Sequence, residues 1–322
     1  VIVPAVERGP TILLLGRDGQ LGWELHRSLA PLGRIIAPGR AELDLRDAPA
    51  LAAYVHDCRA QAVVNAAAYT DVDRAESQRE AAFAVNAEAP ATLARAAAEL
   101  GALLVHFSTD YVFDGRARTA YREDDATAPI NVYGESKREG ERAIRAAGGA
   151  HVILRTSWLY GLRGRNFMRT VLRLARERDE LSIVDDQIGC PTWCRMVAEA
   201  ATAMLVRLSA RRAFELPSAL AGVYHLCATG RASWFEFAAA ILERAPAPRA
   251  CRVRPIPTRE FPRPAARPAF SVLDCGRFEQ SFGIRLPHWR DQLALALDAA
   301  PSGEPVLESS GGSAGSAARH EP

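Results

Sequence analysis

Along the first half of the chain, short uninterrupted apolar runs alternate with longer stretches whose apolar positions recur every three or four residues. TILLLG (11–16), RIIAPG (34–39), QAVVNAAA (61–68), ALLVHFST (102–109) and HVILRTS (151–157) are the runs. A run of this length closed by a turn signal predicts a strand buried on both faces, whereas 3.6-residue spacing predicts an amphipathic helix. Helical spacing covers LGWELHRSLAPLG (21–33), APALAAYVHDC (48–58), the alanine-rich EAAFAVNAEAPATLARAAAELG (80–101) and a segment from about Tyr133 to Ala147. Strand and helix in strict alternation predict a parallel sheet covered on both sides.

After residue 160 the alternation loosens. NFMRTVLRLARER (166–178), RMVAEAATAMLVRL (195–208), SWFEFAAAILERA (233–245) and HWRDQLALALDAA (288–300) are helical, and GVYHLCA (222–228) reads as a strand. Seven prolines between 246 and 270 predict an extended, wrapping segment. The expected fold is α/β: a Rossmann-type doubly wound parallel sheet with a smaller, mostly C-terminal substrate lobe. We place the nucleotide-binding domain at 10–155, and the substrate lobe, interleaved with returns to the core, at 156–299. The polar, small-residue tail 300–322 is expected to be disordered.

Composition removes several function classes. The 322 residues carry 48% hydrophobic and 24% charged side chains with a formal net charge of +2, and the arginines are scattered among acids. That argues against nucleic acid as a partner. No apolar stretch approaches the roughly 18 residues of a membrane span. The opening stretch lacks a basic run followed by a small-residue cleavage site, so a cytoplasmic protein is expected. Six cysteines include one close pair, Cys190 and Cys194, with no histidine or second pair at zinc spacing; they read as free thiols.

Of the 40 basic residues, Lys137 is the one lysine. Tyr133 lies four residues before it, on the same helical face. An ammonium beside a phenol favours phenolate and is expected to draw the tyrosine pKa down from about 10. A chance survivor on a helix surface is the plainer alternative. The first strand–helix turn, GRDGQLG, spaces Gly16, Gly19 and Gly22 as G-x-x-G-x-x-G. Following a strand and opening a helix, it suits close backbone approach to a pyrophosphate better than a plain glycine turn does. The second strand ends in Gly39–Arg40 without the acid that holds a ribose 2′-hydroxyl, and Arg17 sits in the glycine turn. Two guanidiniums suit a 2′-phosphate, so NADPH is expected ahead of NADH, whose use stays open. Asp44 in ELDLRD is a candidate acceptor for an adenine amine. Ser108, Thr109 and Asp110 close the fourth strand, where a hydroxyl could bind a substrate carbonyl. Trp158 and Phe167 read equally as core aromatics, and Asp71, Asp73, Asp185 and Asp186 as turn or cap residues.

These motifs, with NAAAYT, STDYVFDG, NVYGESK and LRTSWLYG in that order, resemble the extended short-chain dehydrogenase/reductase superfamily. Within it, GQLGWEL, DDQIGCPT and RPAFSVLDCGRFEQSFGIRLPHWRDQL resemble the dTDP-4-dehydrorhamnose reductase family over roughly 11–297. The resemblance implies hydride transfer from a nicotinamide to C4 of a dTDP-4-keto-6-deoxy sugar, giving dTDP-L-rhamnose. It makes Thr109, Tyr133 and Lys137 the catalytic trio. Gly16, Arg17, Gly19, Gln20, Leu21, Gly22, Arg40, Asp44, Leu45, Ala67, Ala68 and Tyr69 join Tyr133 and Lys137 along the cofactor. Thr109, Asp110 and Trp158 meet the sugar nucleotide. Some members are associated with magnesium at a dimer contact; no metal site is assigned here, and a monomer or homodimer is expected. Reductases of other dTDP-keto sugars share the pattern. So does a regulatory β subunit of methionine adenosyltransferase, which is not an enzyme; the complete Thr109, Tyr133 and Lys137 set favours an enzyme.

Overall fold

The computed structural model describes residues 9–210, 213–245 and 251–300. The expected irregular lead before residue 9, the first part of the proline-rich segment and the tail from 301 lie outside the described residues.

Six strands form the central sheet: β1 (Thr11–Leu15), β2 (Arg34–Ile36), β3 (Ala62–Asn65), β4 (Leu103–Thr109), β5 (His151–Thr156) and β6 (Gly222–His225). Their order is β2-β1-β3-β4-β5-β6, and every neighbouring pair is parallel. The chain steps from β1 to β2 on one side, then crosses to β3 on the other. A crevice opens at such a reversal, outside the carboxyl ends of the strands. Register sets its floor, because Leu15 lies opposite Asn65 and Asn65 opposite His106.

Alternate residues of the strands feed two cores, as the two-residue strand period requires. Ile12, Leu14, Val64, Val105 and Leu154 pack on one face with helices α1 (Gln20–Leu29) and, from the second half of the chain, Cys194–Leu208. Leu13, Leu15, Val63, Leu104 and Ile153 pack on the other with α2 (Ala48–Cys58), α3 (Ala89–Glu99) and α4 (Val132–Ala147). This is a Rossmann-type sheet sandwiched by helices.

The alanine-rich stretch 80–101 is not one straight helix. Arg79–Phe83 runs into a π-type turn, Ala84–Glu88, before α3 begins. Pro90 lacks the N–H that would bond the Asn86 carbonyl, so the regular ladder breaks there. The break is used. Asn86 accepts from the Tyr69 N–H (2.9 Å) and donates to the Tyr69 carbonyl and the Ser136 hydroxyl (both 3.0 Å), tying the loop after β3 to α4. Gly140 of α4 must be glycine for this approach, since a Cβ there would lie 2.1 Å from the Asn86 carbonyl.

The later segments lean on this core. Arg252–Ile256 pairs in parallel with Glu180–Val184, and isolated bridges join Phe270 to Ile188 and Leu273 to Tyr121. The helix Trp234–Arg244 starts with a capping box from Ser233 and Glu236. The six cysteines are free thiols.

One buried ion pair pins α4 to the sheet. Arg155 of β5 donates to Glu141 of α4 at 2.6 and 2.9 Å, and Ser108 of β4 donates to the same carboxylate at 2.5 Å. Both charged side chains are almost wholly out of water, at 4% and 5% exposure. Arg155→Met strands the Glu141 carboxylate and should cost about 3 kcal/mol. Urea unfolding measures it; a loss under about 1 kcal/mol would show that the pair does not hold the helix.

Candidate active site

The crevice begins at the glycine turn. Gly16 has φ +83°, and a Cβ on it would lie 2.6 Å from the Ala67 nitrogen. Gly22 lies beneath, where a Cβ would come 1.9 Å from the Gly16 carbonyl. This close packing delivers the start of α1, whose N-cap Gly19 offers no side-chain acceptor to the first N–H groups. Those donors and the helix dipole favour an anion. The turn opens into a cleft of about 760 Å³, a volume within the range of cofactor and small-ligand sites.

Gly16, Gly19, Gln20, Leu21, Arg40, Asp44, Leu45, Ala67 and Ala68 line this cleft, as do Thr109, Asp110, Tyr133, Lys137 and Trp158. Three expected cofactor residues stand apart from it. Gly22 packs under the turn. The Tyr69 hydroxyl turns to Gln78 at 2.8 Å. Arg17 bonds the Ala37 carbonyl and pairs with Glu42 at 3.1 Å. Glu42 also accepts from the Gly39 N–H at 2.5 Å, so the acid missing at Gly39 arrives three residues on. Asp44 is gripped at two points by Arg46, which lowers its carboxyl to about 2.

Tyr133 and Lys137 stand on α4 above the end of β4. The Asn131 side chain caps that helix by accepting from the Gly134 N–H at 2.8 Å, which fixes where Tyr133 begins. Lys137 is 1% exposed; its Nζ donates to the Phe107 carbonyl at 2.6 Å and lies 3.2 Å from His106 Nε2. Burial lowers its pKa to about 8, with Glu141 pulling the other way. The expected depression of the tyrosine is not found. Burial instead raises the Tyr133 phenol to about 12, against a smaller opposing bond from Thr109. The reason is direction: the ammonium reaches into the sheet rather than towards the phenol.

Asp110 lies under the mouth of the cleft, 2% exposed, accepting from Ser157 at 2.9 Å and from Thr109 at 3.2 Å. Burial raises its carboxyl to about 6. Above it the Trp158 and Trp234 rings stack 3.4 Å apart and within 1° of parallel. Trp158 has φ +44°, strained for a bulky side chain. Gly189 leaves its indole room, since a Cβ there would come within 2.3 Å of it.

Known proteins share this arrangement. The family model described as "RmlD substrate binding domain" matches residues 10–301. The chain belongs to the dTDP-4-dehydrorhamnose reductase family. The Burkholderia thailandensis dTDP-4-dehydrorhamnose reductase is 47% identical, covering 89% of this chain and 97% of its own. Its counterpart from Escherichia coli K12 is 43% identical over 87% and 94%. The crystal structure of the Bacillus anthracis dTDP-4-dehydrorhamnose reductase in complex with NADP superposes with a TM-score of 0.83 at 35% identity, over 90% of this chain and 99% of that one.

The reductase site also contains residues that local sequence did not reveal. Trp234 and Asn166 line the cleft, the latter donating to Gln20 at 2.9 Å. Trp234 was legible only as the first residue after a helix cap, because its partner lies 76 positions back. Among the described residues of this single chain, no group of three or more His, Cys, Asp or Glu side chains is placed to hold a metal ion. The buried Glu24 is paired with Arg27 and Arg195, each at 3.1 Å.

Asp110 gives a testable sign. A folded-state carboxyl raised above its unfolded value costs stability as pH rises from about 4 through about 6. Asp110→Asn removes that cost. It should be more stable than the parent by about 3 kcal/mol at pH 8, with the gap closing near pH 4. Urea unfolding at the two pH values decides; an equal gap at both contradicts the buried-carboxylate account.

Proposed function

We infer that this chain is a dTDP-4-dehydrorhamnose reductase, reducing the C4 keto group of dTDP-4-dehydro-6-deoxy-L-mannose to dTDP-L-rhamnose. The observation that carries it is the convergence of Thr109, Tyr133 and Lys137 on one cleft at the carboxyl ends of the strands, in a chain of this family. We assign cofactor binding to 10–155 and sugar-nucleotide binding to the lobe 156–299, in a cytoplasmic monomer or homodimer. Among the described residues, no helix is long and apolar enough to cross a membrane.

The residues divide the work. The uncapped start of α1 and the Gly16–Gly19 turn receive a pyrophosphate. Arg40 at the cleft wall, with no acid at Gly39, supports NADPH, while Glu42 on the Gly39 N–H supports NADH as a second cofactor. The reduced nicotinamide supplies the hydride. Thr109, whose hydroxyl donates to Asp110, turns that proton to the substrate carbonyl and so orients it. Tyr133, held as a neutral phenol by burial, gives its proton to the oxygen as negative charge gathers there. Lys137 has donors to spare beyond the Phe107 carbonyl, and a compact ammonium reaches two ribose hydroxyls where a guanidinium is too broad. Asp110, tied to Thr109 and Ser157, shapes the sugar side.

NADPH absorbance followed with dTDP-4-keto-6-deoxyglucose, with and without a 3,5-epimerase, tests this reading. Oxidation should require the epimerase. Oxidation without it assigns another dTDP-keto sugar, and bound cofactor without oxidation points to a non-enzymatic role. Tyr133→Phe and Lys137→Arg should each lose about 100-fold or more in turnover while remaining folded; near-parental rates in either would remove that residue from the mechanism.

A further inference from the structure

Behind Lys137 lies a row of buried polar groups that the catalytic reading does not use. Asn65 of β3 and His106 of β4, 1% and 0% exposed, sit side by side in the register of the two strands. Asn65 Nδ2 is 3.1 Å from His106 Nδ1, and His106 Nε2 is 3.2 Å from Lys137 Nζ. The Ala67 N–H reaches the other end of the Asn65 amide at 3.1 Å.

The protons in this row can be assigned by elimination. A backbone N–H only donates, so the atom it meets is the Asn65 oxygen, and the amide cannot be flipped without losing that bond. The Asn65 NH2 group therefore faces His106 Nδ1, which must accept. Burial lowers the His106 pKa well below its ordinary value, so the ring is neutral and carries one proton. With Nδ1 accepting, that proton sits on Nε2 and points at Lys137. An ammonium has three donors and no lone pair, so it meets this N–H badly. A neutral amine accepts from it and still donates to the Phe107 carbonyl.

We propose that Asn65 and His106 are positioning residues for Lys137: they present an N–H rather than a lone pair to Nζ, biasing the buried side chain towards the amine until ribose hydroxyls draw it to the cleft. The inference rests on the assignment of Lys137 to the cofactor ribose. Other groups around Nζ are accounted for. On α4 itself stand Tyr133, a neutral phenol, and Glu141, whose charge favours the ammonium but is clamped by Arg155 of β5. Asp110 and Tyr111 follow β4, and the π-type turn packed on α4 presents the uncharged Asn86.

The consequence is an alkaline limb in kcat/KM. Activity falls as Lys137 gives up its proton, and the Asn65–His106 pair moves that loss to lower pH. Asn65→Asp keeps the acceptor for Ala67 but replaces the donor facing His106 with a carboxylate. The imidazole proton then moves to Nδ1 and the Nε2 lone pair turns to Nζ. His106→Met removes the N–H facing Nζ and leaves a thioether sulfur, a weak acceptor, without a new charge. In both variants the limb should move up by about one pH unit, about tenfold in rate at a pH on the limb.

The experiment is the pH profile of kcat/KM for parent, Asn65→Asp, His106→Met and Lys137→Met, with circular dichroism to establish folding. A limb that stays in place in a folded variant overturns the proposal, whatever happens to the plateau. If Asn65→Asp does not fold, His106→Met decides alone. A merely structural pair would lower the melting temperature and the plateau without moving the limb. Full turnover by Lys137→Met would sink the ribose assignment itself; an inactive Lys137→Met with an unmoved limb elsewhere would sink only the role of the pair.

Discussion

An ammonium buried inside a parallel sheet is expensive, and much of this structure answers that expense. Desolvating a charge costs several kcal/mol unless neighbouring groups replace the lost water. Here the Phe107 carbonyl and the more distant Glu141 stand in for it. The cost is tolerated because Lys137 must come from below the cleft, on the same helical face as Tyr133, and the sheet already occupies that space. Once the lysine is placed, α4 has little freedom. Its start is fixed by Asn131, its middle by Asn86 on Ser136 and the close approach at Gly140, and its far side by Glu141 on Arg155. The helix that bears Tyr133 and Lys137 is thereby locked to β4, β5 and the turn before α3.

The cleft joins two kinds of environment. The glycine turn is made almost wholly of backbone, with N–H groups held open because glycine alone permits Gly16 and Gly22 to pack as they do. The opposite wall is side chain: Asp110 with its hydroxyl neighbours, and the paired indoles of Trp158 and Trp234. One wall suits a charged diphosphate common to many nucleotides; the other presents shaped side chains, the kind of surface that can give a site its specificity.

Much of this was legible in the chain. Apolar runs named the strands of the sheet, the glycine spacing named the turn, and the four-residue step from Tyr133 to Lys137 put both on one face. What the sequence withheld depends on distance in space. Asn65 and His106 each read as ordinary strand residues, because only the β3–β4 register sets one beside the other. Trp234 escaped for the same reason, its stacking partner Trp158 lying far back along the chain. The sign of the Tyr133 shift failed because helical spacing gives the direction of a Cβ, while the three carbons beyond it carried the Lys137 nitrogen into the sheet. The single long helix failed locally: Pro90 was visible, yet the pattern around it remained periodic enough to hide the break.

The solitary lysine also makes the folded enzyme a reporter on itself. A protease that cleaves after lysine has one peptide bond to cut in the whole chain, the one following Lys137. That bond lies in the middle of α4, with its side chain shut inside the sheet. Cleavage therefore has to wait for α4 to detach. The rate of a single scission, read as two fragments, becomes a measure of how often α4 opens, and ligands that seat against it should be visible as protection of that one bond.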